Sequence, residues 1–345
     1  MRNSFDISEN TWVLCTDRHK SLLDKISLHS KPLGEIVGED YIFNGIQTSA
    51  NKVYVFVPLE QDRYTYTFKA FNGQTYHIEK AVTKPYFKTS QGVKSLNTYR
   101  TFVPNARVVF PYKRGKNGKL ELISLQVIQR KYPLLYAFLQ DAKAELDKPS
   151  RDIQPSPTNN NEWHRYGRHQ SLEACEISEK IIVGVLAQSD KYAIDKNGTL
   201  VSSGGTAGYC LISIPTDSNY SIYYIQAILN SLQGEWLASL YGEIFRGGFI
   251  ARGTKVLKQI PIRTIDFDNA KEKQMHNVIT ARQISLIKLG DKIASATNNR
   301  RILTPLLRQF ETLRQEQQKA INALYGISEQ EALQIPIIKE IYAAD

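Results

Sequence analysis

The chain has 345 residues, 42% of them hydrophobic and 23% charged, proportions that exclude a disordered polymer and predict a folded, soluble protein of one large or two domains. Its net charge of +10 favours polyanionic partners, because clustered Lys and Arg displace counterions from a phosphate backbone. Cys15, Cys175 and Cys210 are too few and too scattered for a zinc site or a disulfide framework. With no secretory leader and no run of ~18 apolar residues, a cytoplasmic location is expected.

In chain order, Trp12 to Ile36 predicts a helix ended by the break Lys31-Pro32-Leu33-Gly34. Tyr41 to Leu59 predicts two strands joined by an exposed polar loop, and Tyr64–Phe71, Tyr76–Ile78, Arg107–Tyr112 and Leu120–Ile123 predict further strands. Lys113 to Lys119 reads as a basic turn. Tyr132 to Leu146 is an amphipathic helix with Leu135, Phe138, Leu139 and Ala142 on one stripe, and Arg151 to Asn161, rich in Pro, Ser and Asn, is the best linker candidate. Beyond it come the strands Ile181–Leu186, Tyr192–Ile194 and Tyr209–Ile214, a Gly-rich loop at 202–208, a helix over Ile222–Leu240, a second Gly-rich segment from Ile244 to Lys255, and a closing strand over Val256–Ile262. From Asn269 onward long helical periodicity predicts a helical tail, with Pro305 in the first turn of its second helix and Ser328 with Glu331 as a capping box.

No familiar catalytic signature is present. The chain lacks Pro-Pro, GxGxxG, GxxxxGK[ST], GxSxG and HExxH, and its carboxylates form no readable metal set. No catalysis is expected of this chain. Three loops instead carry the vocabulary of base and phosphate contact, in which Arg reads guanine, Asn or Gln reads adenine, and Lys, Ser and Thr hold phosphates. They are Gly45–Lys52 (GIQTSANK), Tyr166–Gln170 (YGRHQ) and Arg246–Lys255 (RGGFIARGTK). The blander alternatives are turn satisfaction by Gln47 and Asn51, core packing of Trp163 and Tyr166, and pairing of Arg165 and Arg168 with Glu162 or Glu173.

The ordered run of KPLGEI, YIFNGIQTSANKVYVF, ARVVFPYKRGKNGKLELI, YPLLYAFLQDAKAELDKPSRD, NEWHRYGRHQSLE, KIIVGVLAQSDKYAIDKNGTLVSSGG, YYIQAILNSLQGEWLA and VLKQIPI, closed by INALYGISEQEA, resembles the C-terminal specificity region of TaqI-like and type IIG adenine-specific DNA methyltransferase–restriction enzymes, from about Trp12 onward. The resemblance implies a target recognition domain that reads double-stranded DNA for a separate methyltransferase module. That module, fused or a partner and in some members joined to an endonuclease, would carry the S-adenosylmethionine; no cofactor or metal is expected on this chain. In that family the catalytic module lies N-terminal to the region, so the resemblance implies either a free-standing specificity subunit or a piece of a longer enzyme. It places Gln47, Thr48, Asn51, Lys52, Tyr166, Arg168 and Gln170 against DNA, while Arg246 and Arg252 rest on the loop argument. The fold expected is mixed α/β: a β-rich recognition domain with flanking helices in two parts, 1–150 and 151–266, and an α-helical C-terminal region, 267–345. The alternatives are a metal-dependent nuclease and a protein–protein adaptor working through the helical tail.

Overall fold

The computed structural model describes residues 3–6, 13–88, 96–153, 162–169, 171–173, 177–187, 192–203, 208–245, 247–296 and 299–337. Most of the expected linker (154–161) and the centre of the Gly-rich loop (204–207) lie outside these residues. In the first part of the chain the elements are β1 (Asn3–Asp6), β2 (Val13–Thr16), α1 (Asp17–Leu28), β3 (Ser30–Pro32), α2 (Leu33–Val37), β4 (Ile42–Asn44), α3 (Asn51–Tyr54), β5 (Val55–Phe56), β6 (Glu60–Gln61), β7 (Thr65–Lys69), β8 (Thr75–Glu79), β9 (Thr83–Phe87), β10 (Ala106–Val109), β11 (Tyr112–Arg114), β12 (Leu120–Leu122), α4 (Leu125–Lys131) and α5 (Pro133–Leu146). There follow β13 (Lys180–Gly184), β14 (Leu186–Ala187), β15 (Tyr192–Asp195), β16 (Leu200–Val201), β17 (Tyr209–Ile212), α6 (Ile222–Leu229), α7 (Leu232–Tyr241), β18 (Ile244–Phe245), β19 (Phe249–Ala251), α8 (Thr254–Gln259), β20 (Pro261–Arg263), α9 (Ala270–Ser295), α10 (Arg300–Leu324) and α11 (Glu329–Ala332).

The organising element is a four-stranded antiparallel sheet in the order β15-β13-β17-β4. Side chains alternate across a strand, and here both faces are covered. Ile182, Ala193, Leu211 and Phe43 enter one hydrophobic core, shared with α5 and with the sheet β16-β9-β10-β5. Their neighbours Ile181, Val183, Ile194, Cys210, Ile212 and Ile42 enter a second core, built with α1, α6, α7 and the helical tail. This double burial explains why Ile181-Ile182-Val183 is apolar without alternation. The protein is thus mixed α/β, with several small sheets and a helical C-terminal region. Segments distant in sequence interleave: β4 pairs with β17, β9 with β16 in parallel, and β3 with β20.

Several elements follow directly from local sequence. Pro133 opens α5, whose stripe Leu135, Phe138, Leu139, Ala142 and Leu146 is buried. Asn269 and Asn299 cap α9 and α10, each accepting two backbone N–H bonds, and Ser328 and Glu331 form the capping box of α11. Others differ from expectation. Ile222–Leu240 is not one helix. Asn230, held by Thr98 and Tyr99, ends α6, and the Ser231 hydroxyl starts α7 by accepting from Gly234 N. The stretch from Tyr41 to Leu59 is not two strands around an exposed loop, because α3 intervenes and Ile46, Thr48 and Ala50 are buried. Val256–Gln259 belongs to α8, leaving only Pro261–Arg263 as strand. Pro305 lies in the second turn of α10, not its first.

Candidate nucleic-acid interface

Antiparallel pairing fixes which loops are neighbours. Asn44 at the end of β4 faces Cys210 near the start of β17, Tyr209 faces Gly184 at the end of β13, and Val183 faces Tyr192 at the start of β15. The loop after β4, the turn into β14 and the chain entering β17 therefore leave one end of the central sheet together. Val185 N donates to Gly208 O at 3.0 Å and Arg252 N to Val185 O at 2.5 Å, which brings the third candidate loop to the same end.

The first two candidate loops are joined by their backbones. Arg168 N donates to Gln47 O at 3.1 Å and Gly167 N to Thr48 O at 3.0 Å, while Ile46 bridges on its other side to Ser202. The approach is close: a Cβ on Gly167 would lie 1.9 Å from Ser49 Oγ and 2.6 Å from Asp152 O. Ser49 itself sits at φ +54, an uncommon conformation for a non-glycine residue. Beneath the joint Tyr54, Tyr112 and Tyr166 pack edge to face, each pair with Tyr166 at 5.1 Å between ring centroids. Tyr54 OH donates to His164 O, Tyr166 N to Tyr112 OH, and Tyr166 OH to Val109 O. Burial pushes the phenols of Tyr54 and Tyr112 up, so both remain neutral donors and acceptors.

The predicted residues separate accordingly. Asn51 and Lys52 are exposed and Gln47 is half-buried. Lys52 pairs with Glu145, whose carboxyl is held below the usual range by hydrogen bonds from Lys148 and Lys52. Arg168 forms a fork onto Asp152 Oδ2 at 2.9 and 2.5 Å, so its pairing runs to Asp152 and not to Glu173. Exposed pairs of this kind contribute about 0–1 kcal/mol, so a phosphate can replace the carboxylate at little cost. Thr48, Tyr166 and Arg252 do not reach solvent. Thr48 Oγ1 is spent on Asn51 Oδ1 and Ala50 N, Tyr166 lies in the aromatic cluster, and Arg252 is enclosed by Glu235, Tyr192 OH and the carbonyl of Ala187. In this arrangement these three brace the loops and do not face solvent. Gln170 and Arg246 lie outside the described residues. Trp163 and Arg165 are buried as well, Arg165 with Glu162 at 3.1 Å.

Sequence reasoning passed over Arg151. Its guanidinium donates to four carbonyls, those of Leu146 (2.5 Å), Trp163 (2.8 Å), Thr48 (3.1 Å) and Arg165 (2.7 Å), which ties the end of α5 to both loops. The available signal was an arginine five residues past the end of a helix, close enough to reach its open carbonyls, which need donors. The basic turn lies alongside: β11 and β12 form a hairpin with Lys116 and Lys119 exposed at its far end and Lys113 exposed along β11. Its base is fixed through Tyr112 and through His164 Nε2, which donates to Ile123 O at 2.8 Å. Among the described residues, no group of three His, Cys, Asp or Glu side chains could hold a metal ion, and no helix is long and apolar enough to cross a membrane.

No family model matches the chain. Over 337 residues, 97% of its length, the chain is 43% identical to the Escherichia coli protein described as type II restriction enzyme and methyltransferase RM.Eco57I. It spans about one third (33%) of that protein, and is thus similar to a region of a restriction–modification enzyme.

Proposed function

We propose that the chain is the target recognition region of a restriction–modification enzyme of the adenine-N6-methylating, type IIG kind, reading double-stranded DNA for a catalytic module that holds S-adenosylmethionine. One observation carries the reading: two polar loops far apart in sequence are locked together by backbone hydrogen bonds and Arg151 at one end of a doubly buried sheet. Base readout requires side chains on a platform that does not shift, and the aromatic cluster with its hydrogen-bonded hydroxyls supports one. Gln47, Asn51, Lys52 and Arg168 stand on that platform as contacts, with Gln170 and Arg246 added from sequence. Lys113, Lys116 and Lys119 are placed to anchor phosphates. The similarity to one third of a larger restriction enzyme and methyltransferase supports a module of such an enzyme.

The test is a low-salt mobility assay on duplexes enriched from a random pool. Arg168→Ala weakens binding to the enriched duplex by about 1–3 kcal/mol if the arginine forks onto a base. Changing Lys113, Lys116 and Lys119 to Gln lowers the slope of log K against log salt by about one for each phosphate left without its cation. Affinity that does not decline as salt rises refutes the reading and favours a protein adaptor. Cleavage of plasmid by the chain with magnesium alone would instead favour a nuclease.

A further inference from the structure

The hairpin β18–β19 presents apolar side chains to solvent: Phe245 is 41%, Phe249 37% and Ile244 36% exposed. Phe245 pairs directly with Phe249 across the ribbon, and Ile244 with Ile250, which is 1% exposed. Alternation therefore turns the Ile250 face toward the protein and leaves the two phenylalanines on the opposite, open face. The described part of the turn between them, Gly247 and Gly248, lies at φ +80 and +73, a conformation that side chains resist, and Gly248 N donates to Phe245 O at 3.1 Å.

The base of the ribbon is rigid. Ala251 N donates to Glu243 O at 2.9 Å, and β19 pairs with β14, which continues from the end of the central sheet that carries the candidate loops. The buried Arg252 holds this junction to Glu235 at 2.5 Å and to Tyr192 OH at 3.0 Å. Arg252 is thus a positioning residue for the hairpin.

We infer that Phe245 and Phe249 form an aromatic wedge that enters the base stack of duplex DNA held at the polar loops. The inference rests on the proposed function and adds a mode of contact to it. Two partly exposed side chains on the open face are far short of the about 800 Å² per partner that a standard protein interface buries. A narrow ribbon with two aromatic rings, on a chain of net charge +10, matches instead the stacked bases beside a phosphate backbone. Apolar side chains placed between base steps unstack and kink the duplex, and stacking on an aromatic ring strengthens binding roughly 5- to 150-fold per base.

The experiment needs no knowledge of the target sequence. The full chain is bound to closed circular plasmid, topoisomerase I relaxes the complex, and the linking number is read after the protein is removed. The wild-type chain lowers the linking number, because a wedge unwinds the duplex. Phe245→Ala/Phe249→Ala, checked for folding by circular dichroism, retains the salt slope of binding but loses the unwinding and about 10- to 100-fold in affinity. Phe245→Trp retains the unwinding. A double variant that unwinds as wild type does, or a wild-type chain that retards DNA without changing the linking number, overturns the wedge and leaves the recognition reading standing. A wild-type chain with no DNA affinity overturns the recognition reading itself, and the wedge with it.

Discussion

Replacing Arg151 with alanine removes a single guanidinium that joins four carbonyls on three segments: the end of α5, the loop at Thr48, and the run from Trp163 to Arg165. A hydrogen bond from a charged donor contributes about 1.5–3 kcal/mol. The four are not additive, because they share one group and water can enter a half-buried site once the side chain is gone. The guanidinium also lies 5.9 Å from the centre of the Tyr54 ring. A loss of about 3–5 kcal/mol follows, equivalent to a fall of about 4–7 °C in Tm for a chain of this size. Arg151→Lys should recover little, since a compact ammonium cannot span carbonyls that a planar fork reaches. Amide hydrogen exchange locates the effect: the amides of Gly167 and Arg168, which donate to Thr48 O and Gln47 O, should lose protection well before the strands of the central sheet. Unchanged exchange at those amides in Arg151→Ala would show that the loops are held by other means, and the rigid platform would have to be abandoned.

Gly167→Ala places a Cβ against Ser49 Oγ and the Asp152 carbonyl, the latter backbone that cannot swing aside, so the loops part and stability falls by about 1–3 kcal/mol in urea unfolding. Arg252→Met removes the guanidinium that faces Glu235 and should lower stability by about 3–5 kcal/mol; weakened DNA binding with unchanged Tm would restore Arg252 as a direct contact. His276 is buried, with its pKa depressed by desolvation, and its Nε2 accepts from Ser221 N while Nδ1 faces Asn277 Oδ1, which requires the neutral ring. The unfolded chain therefore binds more protons than the folded one below pH 6.5, so stability declines as pH falls through that value; His276→Gln should flatten the decline measured by urea titration between pH 7 and 5.

What the sequence made legible is what periodicity and caps encode: α5, α9, α10, the capping box at Ser328 and the continuous apolar run of β13 need only neighbours within a turn or two. The split between α6 and α7 was hidden because apolar spacing runs unbroken from Ile225 to Leu237, and the choice is made by Tyr99 and Thr98, more than a hundred residues away, which hold Asn230. The same limit governs the candidate interface. Gln47, Lys52, Arg168 and Tyr166 were singled out by the resemblance and Arg252 by residue type in its loop, yet the structure turns the last two inward, Tyr166 into the core packing that its residue type also allowed. An arginine reads alike in sequence whether its acceptor is a base edge or Glu235, and a tyrosine whether it stacks on a nucleotide or on Tyr54. Arg151 was passed over for the converse reason, since it begins a Pro- and Asn-rich stretch whose composition suggests a solvated linker. Its role comes from four carbonyls that only the fold brings within reach of one another. Polar residue type therefore marks a candidate region, and the backbone hydrogen bonds between its loops decide which of those residues stay open to solvent and which hold the others still.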